Sequence, residues 1–332
     1  MSGEENGWTT SVMVPSVPAV TILLPVLNGE KWIEMSVNSL QNQSFQDFEI
    51  LIIDDGCTDS TLDIVRNMRL PSIRVIRGQG HGVGAALALG VLSTSSPLIA
   101  RQDADDISHA RRLEKQVHYM GTHTQCVMTG TWAQKIDEDD KSLGLMKVPR
   151  NSKSIKLRLN FSSPFIHPSV MLRRDAVLKV GNYRAHPGKI FAEDYDLWTR
   201  MALIGEIHNI GEPLISYRIN PSGVTGIHGA ALSRSGTEIA LHNTEVTLGE
   251  SFDVRDKELF YLYFGDNKQI TVKEALRIYK LLFRLQSRSG FPPPLAGISP
   301  RSWLAPIART VRASHRPALL EGTLEGENEV RF

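Results

Sequence analysis

The sequence predicts an α/β protein in which helices flank a mostly parallel sheet, followed by a helical C-terminal extension. Over roughly the first 130 residues, short and almost continuous apolar runs alternate with segments of helical periodicity. Strands that are apolar on both faces and separated by helices are typical of parallel sheets. The chain has 332 residues, of which 41% are hydrophobic and 22% charged, so it is long enough to bury a full core.

The pattern places strands and helices in strict alternation. Strands are predicted at residues 20–25, 48–54, 73–77, 97–100 and 125–132. Helices are predicted at 31–41, 60–68 and 83–92, where apolar residues recur at helical spacing or alanine and leucine dominate. Ligands of such sheets bind beyond the carboxyl ends of the strands. The residues just after each strand are therefore expected to meet in one crevice.

Acidic residues follow two of these strands. Asp103, Asp105 and Asp106 come directly after one strand, and Asp54 and Asp55 close another. Carboxylates this close repel one another unless a hard cation such as Mg²⁺ or Mn²⁺ neutralises them, and such ions commonly bind substrate phosphates as well. The first cluster thus suggests a metal–diphosphate site, and Asp55 a contact to a nucleobase or ribose. A solvated acidic loop and a turn with a helix N-cap stay open as the alternatives.

A glycine-rich run at 78–84 allows a different interpretation, the phosphate loop of a Rossmann-type oxidoreductase. That fingerprint should follow the first strand and be followed by an acidic residue about 20 positions later. The run here follows the third strand instead. We interpret it as a tight connection from strand to helix near the ligand crevice, which disfavours the oxidoreductase.

Taken in order, these motifs resemble the glycosyltransferase family 2 enzymes, which have the Rossmann-like GT-A fold and transfer a sugar from a nucleotide donor with inversion. The resemblance runs from about Val20 to Val224. It rests on the first strand and loop at 20–29, the segments 39–50 and 54–59, the DxD-like element at 103–106 with 111–116, and the later motifs at 167–171 and 193–198.

The resemblance implies roles for five residues. Asp55 would contact the base, Asp103 the nucleoside or ribose, and Asp105 a Mn²⁺ or Mg²⁺ ion that bridges the donor diphosphate. Asp194 would be the catalytic base for the acceptor hydroxyl. Glu193 would orient the acceptor or raise the basicity of Asp194. The alternative for this pair is the acidic first turn of a helix predicted over 195–202.

Donor binding is also implied for four residues, Pro25, Asn28, Asp54 and Arg218. The chain departs from the family pattern at Leu27, where many members carry an aromatic residue, so base stacking is expected to be weaker or supplied elsewhere. It departs again at Asn220, where members often carry histidine.

The expected activity is metal-dependent, inverting transfer of a hexosyl or N-acetylhexosaminyl group, with a UDP-sugar favoured as donor. The acceptor would be a carbohydrate or lipid-linked hydroxyl in polysaccharide, glycolipid or glycan assembly. The alternative is a noncatalytic relative that binds nucleotide sugars or carbohydrates. No nucleic acid partner is expected.

Four segments are predicted: a flexible N-terminal segment at 1–18, a GT-A-like catalytic domain at 19–225, a helical extension at 226–290, and a basic, proline-containing segment with an acidic disordered tail at 291–332. Helices are expected at 232–248, 258–264 and 271–288. Residues 268–316 contain ten Lys or Arg and one acid, Glu274. This asymmetry predicts peripheral contact with an anionic membrane, and a solvated helix face packed on the catalytic domain is the alternative.

Composition predicts an intracellular setting. The two cysteines cannot form a disulfide framework, and no apolar run reaches the roughly 18 to 20 residues that a membrane span needs. Glu4 and Glu5 stand where an export signal would carry positive charge. The net charge of +1 favours no particular partner. The expected location is the cytoplasm, including the cytoplasmic face of a membrane.

Overall fold

In the computed structural model, residues 17–184, 191–261 and 272–288 are described. The chain divides into two compact units, Met1–Ile239 and Ala240–Phe332. Most of the predicted flexible N-terminal segment, up to residue 16, lies outside the described residues. The whole predicted basic and acidic segment at 291–332 lies outside them as well.

The first part of the first unit is a parallel sheet with the strand order β3-β2-β1-β4. Its elements are β1 (Val20–Val26), α1 (Ile33–Gln41), β2 (Phe48–Asp54), α2 (Thr61–Asn67), β3 (Ile73–Arg77), α3 (Val83–Leu92) and β4 (Leu98–Arg101). The central strand β1 is buried along its whole length. Burial of one Leu or Ile side chain stabilises a fold by about 1.5–3 kcal/mol, so this strand contributes strongly to the core.

The sheet then continues as a mixed sheet in the order β4-β8-β6-β9-β5, with β7 paired to β6. Its elements are β5 (Ile107–Ser108), α4 (Arg112–Thr122), β6 (Cys126–Ile136), β7 (Ser142–Met146), α5 (Ser152–Arg158), a 3₁₀ helix (His167–Ser169), β8 (Met171–Arg173), α6 (Arg174–Lys179), α7 (Glu193–Met201) and β9 (Glu206–Arg218). Strand β8 is antiparallel to β4 and β6, whereas β6 and β9 are parallel. The predicted α/β class, with helices flanking a largely parallel sheet, is confirmed.

The carboxyl ends of the first strands lie at one edge of the sheet. Val26, Asp54 and Arg77 are in register at the ends of β1, β2 and β3. The next residues stay tied together, since the Asp55 N–H donates to the Val26 carbonyl at 3.0 Å and the Gly78 N–H to the Asp54 carbonyl at 2.7 Å. The loops that carry the predicted site residues therefore leave the sheet side by side.

The second unit is helical in its described residues, which confirms the predicted helical extension. It contains the end of α8 (Val224–Leu248), then α9 (Val254–Phe260) and α10 (Val272–Arg288). The helix predicted at 258–264 begins earlier, because the Asp253 carboxylate accepts the Asp256 N–H at 2.7 Å and caps α9. Within the described ranges, no helix combines the length and the apolar character needed to cross a membrane.

Candidate active site

Three carboxylates lie together in the loop after β4. One carboxylate oxygen from each of Asp103, Asp105 and Asp106 lies within 4.8 Å of the other two. Asp103 forms an ion pair with Arg101, the last residue of β4. Burial has the largest effect on the pKa of Asp103 and raises it. The charge of Arg101 lowers this pKa, and the charge of Asp105 raises it further. The sequence prediction that these acids form a cluster at the sheet edge agrees with this geometry.

The donor set of this cluster fits a hard divalent cation. Asp106 is 1% exposed, and one of its carboxylate oxygens has no hydrogen-bond partner among the described residues. Burial, followed by the charges of Asp103 and Asp105, raises the pKa of Asp106 well above its ordinary range. A cation bound by oxygen ligands would remove this repulsion, and carboxylate oxygens are the ligands that Mg²⁺ and Mn²⁺ prefer.

The turn after β2 is built by Asp54. Its Oδ1 accepts the N–H groups of Gly56 at 3.1 Å and Cys57 at 2.8 Å. Burial by itself would raise the pKa of Asp54, but these hydrogen bonds outweigh it and lower the pKa. The next residue with a capping role is Asp59, whose carboxylate accepts the Thr61 N–H at 3.0 Å at the start of α2. Asp54 thus shapes the turn from which Asp55 projects.

Asp55 binds the glycine-rich connection between β3 and α3. Its two carboxylate oxygens accept the N–H groups of Gly80 at 2.9 Å and Gly82 at 2.8 Å. A Cβ atom at Gly78 would lie 2.8 Å from Asp55 Oδ1, so only glycine fits there. Gly82 has φ +87°, in the region that glycine favours. The interpretation of 78–84 as a tight strand-to-helix connection agrees with this structure.

The loop after β1 is joined to the turn after β2. Asn28 has φ +55°, and its side-chain oxygen accepts the Thr58 N–H at 2.8 Å. Its own N–H donates to the Cys57 sulfur at 3.3 Å. Pro25 is buried within β1, where it lies opposite Ile53 of β2. Asn28 therefore supports the turn that presents Asp55, whereas Pro25 lies within the strand before this loop.

Glu193 and Asp194 form the first turn of α7, and the helix-start alternative is thus compatible with a catalytic role. Glu193 is 8% exposed. Burial and the neighbouring charge of Asp194 raise the pKa of Glu193 to about 8. Burial also raises the pKa of Asp194, although the Tyr195 N–H and the charge of Arg101 oppose the shift. Burial and the charge of Asp194 thus favour the protonated form of Glu193 compared with an exposed glutamate.

Glu193 also contacts the other end of the glycine-rich connection. A Cβ atom at Gly84, in the first turn of α3, would lie 3.1 Å from the Cγ atom of Glu193. The start of α3 is thus packed between two predicted site residues, since Asp55 holds Gly80 and Gly82 on the chain just before it. The structure brings the turn after β2 and the start of α7 together through this helix.

Arg101 is a buried cation that the sequence interpretation did not single out. It is 5% exposed, and its charge lowers the pKa values of Asp103, Asp106, Glu193 and Asp194. Arg101 therefore partly offsets the mutual repulsion of the acids from β4 and α7. The signal in the sequence was a lone arginine at the end of an apolar strand, directly before three acids.

An aromatic cluster lies near Arg101. His167 Nε2 is 3.3 Å from the Tyr183 hydroxyl, and the imidazole is edge-on to Trp198, with ring centroids 5.7 Å apart. Burial, helped by the Arg101 charge, holds the pKa of His167 well below its ordinary range. His167, Tyr183 and Trp198 thus pack against one another close to Arg101.

Arg218 lies next to the acidic loop, but its guanidinium is bound by the protein. Its side chain is 0% exposed. Nε donates to the Asp105 carbonyl at 2.9 Å, and Nη2 donates to Asp140 Oδ1 at 2.6 Å. Asn220, two residues further on, donates to Asp105 Oδ2 at 3.0 Å. The structure thus brings Arg218 to the predicted site without directing its guanidinium to the open crevice.

Comparison with known proteins identifies the family of this chain. The model of the family described as Glycosyl transferase family 2 matches residues 21–181. The O-antigen biosynthesis glycosyltransferase WbnJ of Escherichia coli is 32% identical over 60% of this chain and 80% of its own length. The amylovoran biosynthesis glycosyltransferase AmsE of Erwinia amylovora is 28% identical over 78% of this chain and 97% of its own length.

A solved structure supports the fold. Residues 1–349 of Staphylococcus aureus TarS, crystallised in complex with UDP-GlcNAc, superpose with a TM-score of 0.59 at 17% identity, over 89% of this chain and 87% of that one. The family resemblance and the GT-A-like fold expected from the sequence are confirmed, and the oxidoreductase alternative is excluded. The chain is a glycosyltransferase and belongs to glycosyl transferase family 2.

Proposed function

We propose that this glycosyltransferase moves a sugar, with inversion, from a nucleotide diphosphate sugar to an acceptor hydroxyl. The observation that carries the proposal is the arrangement of two acidic groups around one buried cation: the Asp103, Asp105 and Asp106 cluster, the Glu193 and Asp194 pair, and Arg101. The Asp103, Asp105 and Asp106 cluster would bind a cation that holds the donor diphosphate. The Glu193 and Asp194 pair would bind and deprotonate the acceptor hydroxyl.

Asp194 would act as the general base. As the acceptor oxygen forms its bond to the anomeric carbon, the hydroxyl proton passes to the Asp194 carboxylate. The bond from the anomeric carbon to the diphosphate breaks on the opposite face, and the nucleoside diphosphate leaves with the electron pair. Glu193, whose protonated form is favoured by burial, would donate a hydrogen bond that orients the acceptor.

The donor would lie along the ends of β1, β2 and β4. Asp55, whose oxygens also accept the Gly80 and Gly82 N–H groups, would accept a further hydrogen bond from an N–H of the base. Asp103 would bind the ribose. Mn²⁺ or Mg²⁺, held by Asp105 with its neighbours in the acidic loop, would stabilise the charge that develops on the leaving diphosphate.

The relatives suggest the class of product. WbnJ and AmsE are named for O-antigen and amylovoran biosynthesis. By analogy, the acceptor is proposed to be a growing polysaccharide or glycan, including one carried on a lipid. Fold likeness alone does not choose the sugar, because a few side chains in the pocket decide it.

Calorimetric titration tests the donor site. UDP, GDP and CDP, followed by their sugars, are titrated into the protein with Mn²⁺, with Mg²⁺ and with a chelator. We expect one nucleotide to bind much more tightly than the others, and only when a divalent ion is present. Equal binding with chelator would contradict the metal site, and failure of every nucleotide to bind would support the noncatalytic alternative.

The proposed membrane contact of residues 268–316 concerns the second unit, and most of that segment lies outside the described residues. On α10, Arg277 forms ion pairs with Asp253 and Asp256, and Arg284 pairs with Glu250. These pairs reduce the positive charge that the sequence assigns to this face. Lys273, Lys280 and Arg288 remain exposed, and each residue near an anionic surface contributes about 1 kcal/mol.

Vesicle flotation tests this contact. The protein is expected to float with vesicles that contain anionic lipid and to remain behind with neutral ones, and the binding should weaken at high salt. Replacing Lys273 and Lys280 with Glu should reduce flotation, whereas the same change at Lys141 and Lys156, exposed in the first unit, should not. Equal recovery with both kinds of vesicle would contradict the proposal.

A further inference from the structure

One side chain joins three parts of the first unit that are far apart in sequence. Arg218, the last residue of β9, is bound to the acidic loop after β4, to the turn between β6 and β7, and to the α1 region. Its guanidinium carbon lies 5.4 Å from the centroid of the Trp32 ring, at the start of α1. The acidic loop and Arg218 are separated by more than a hundred residues along the chain.

At the acidic loop, Arg218 makes two contacts that set orientation. Its backbone N–H donates to Asp106 Oδ1 at 2.8 Å. Its Nε donates to the Asp105 carbonyl at 2.9 Å. The first contact fixes the direction of the Asp106 carboxylate and leaves its other oxygen unpartnered among the described residues. The second fixes the backbone from which the Asp105 side chain projects.

At the other end, the guanidinium is held by the turn between β6 and β7. Nη1 donates to the Asp137 carbonyl at 2.7 Å, and Nη2 donates to Asp140 Oδ1 at 2.6 Å. The turn is itself preformed, because Asp137 Oδ1 accepts the N–H groups of Asp139 and Lys141, both at 2.9 Å. Arg218 therefore links the acidic loop to a turn that its own hydrogen bonds already hold in place.

The burial of Arg218 argues against a direct contact with the donor diphosphate. A guanidinium at 0% side-chain exposure is stable only when its donors are satisfied and its charge is compensated, and here the turn and the acidic loop supply both. With one face toward Trp32 and its donors used by the protein, the group has no open path to a phosphate. This differs from the direct donor contact that the family resemblance implies.

We propose that Arg218 is a positioning residue, which holds Asp105 and Asp106 in the orientation needed for cation-dependent donor binding, with the turn at 137–141 as its support. This inference rests on the proposed function, since it presupposes that the acidic loop binds a cation together with the nucleotide. Replacing a group that hydrogen-bonds and orients a metal ligand, without binding the metal itself, typically lowers metal affinity by about 10–100-fold.

The test measures how nucleotide affinity depends on Mn²⁺. The nucleotide that binds wild type is titrated calorimetrically over a range of Mn²⁺ concentrations into Arg218→Lys, Asp140→Asn and Arg173→Lys. Arg173 is the matched control, because it also donates to two carbonyls, those of Cys126 and Met120. Asp140→Asn weakens the ion pair to Arg218 without changing the acidic loop. Because the Asp140 side chain is 54% exposed, this variant is expected to fold, and it replaces Arg218→Lys in the test if Arg218→Lys does not fold.

We expect Arg218→Lys to need about 10-fold more Mn²⁺ for half-maximal binding, and Asp140→Asn to shift in the same direction by less. Near-saturating Mn²⁺ should restore nucleotide affinity in both, and Arg173→Lys should match wild type. Wild-type Mn²⁺ dependence in Arg218→Lys, or in Asp140→Asn when Arg218→Lys does not fold, overturns this inference alone. A loss of affinity that persists at saturating Mn²⁺ indicates a direct phosphate contact and also overturns it. Absence of Mn²⁺ dependence in wild type overturns the proposed function together with it.

Discussion

Replacing Asp194 with Asn is expected to reduce sugar transfer by about 10²- to 10⁴-fold, because general-base catalysis contributes an effect of that size. Metal-dependent nucleotide binding should stay close to that of wild type, since the acidic loop after β4 is unchanged. The measurement is the initial rate of nucleoside diphosphate release in the presence of an acceptor, together with calorimetry of the nucleotide. A fully active variant would refute the assignment of Asp194 as the base.

Two controls separate catalysis from helix stability. Asp175 also lies in the first turn of a helix, α6, so Asp175→Asn removes a first-turn carboxylate away from the site. It should retain wild-type rates. Glu193→Gln should retain much more activity than Asp194→Asn, because Gln can still donate the hydrogen bond proposed to orient the acceptor, and burial raises the pKa of Glu193 toward that donating form.

The pH dependence of wild type follows from the same shift. The base must be ionised to accept a proton, and burial raises the pKa of Asp194 above its ordinary value of 3.8. Transfer should therefore fall as pH drops through a range above that of an exposed aspartate. A rate that stays constant down to about pH 4 would contradict this assignment.

Replacing Asp105 with Ala is expected to weaken nucleotide binding in Mn²⁺ by about 100-fold, near 2.7 kcal/mol, to the level that wild type shows with chelator. Asp105 contributes one of the three oxygens that lie within 4.8 Å of one another. Asp47, an exposed acid just before β2, provides the control, because Asp47→Ala removes one negative charge away from the cluster and from the turn that supports it.

Thermal unfolding adds an internal check on Asp105→Ala. The charge of Asp105 raises the pKa values of Asp103 and Asp106, so it opposes their ionisation in the metal-free fold. Removing it should therefore leave the metal-free melting temperature unchanged or higher, while the stabilisation by added Mn²⁺ is lost. A lower melting temperature in chelator, with Mn²⁺ stabilisation retained, would assign Asp105 a purely structural role.

The sequence predicted the first four strands closely because the pattern that marks them, a short apolar run bounded by turn residues, is local in the sequence. β2 and β3 have the predicted bounds, β1 extends one residue beyond its predicted end, and β4 is shifted by one residue at both ends. β1, β2 and β4 are apolar runs that are mostly buried, whereas β3 carries Arg74 and Arg77 and is only partly buried. The same reasoning predicted that the acids after β2 and after β4 lie at one edge of the sheet, since residues after parallel strands share that edge.

The later strands could not be predicted in the same way. β8 has three residues, and β9 contains Gly211 and Pro213, which weaken any strand pattern. β9 is stabilised by its pairing along the length of β6, which also extends β6 to Ile136, beyond the predicted end at 132. The burial of Arg101 and Arg218 could not be predicted for a related reason, because only tertiary packing decides which arginines are buried.

The glycine-rich connection at 78–84, which leads into α3 and contacts both Asp55 and Glu193, limits which substitutions this enzyme can accept. Gly78 has no room for a methyl group beside Asp55, and Gly84 has almost none beside Glu193. Variation at these two positions would disturb both ends of the crevice at once. Gln79 and His81 are exposed on the same connection. A library that aims at a different donor should therefore diversify these two positions and keep the glycines constant.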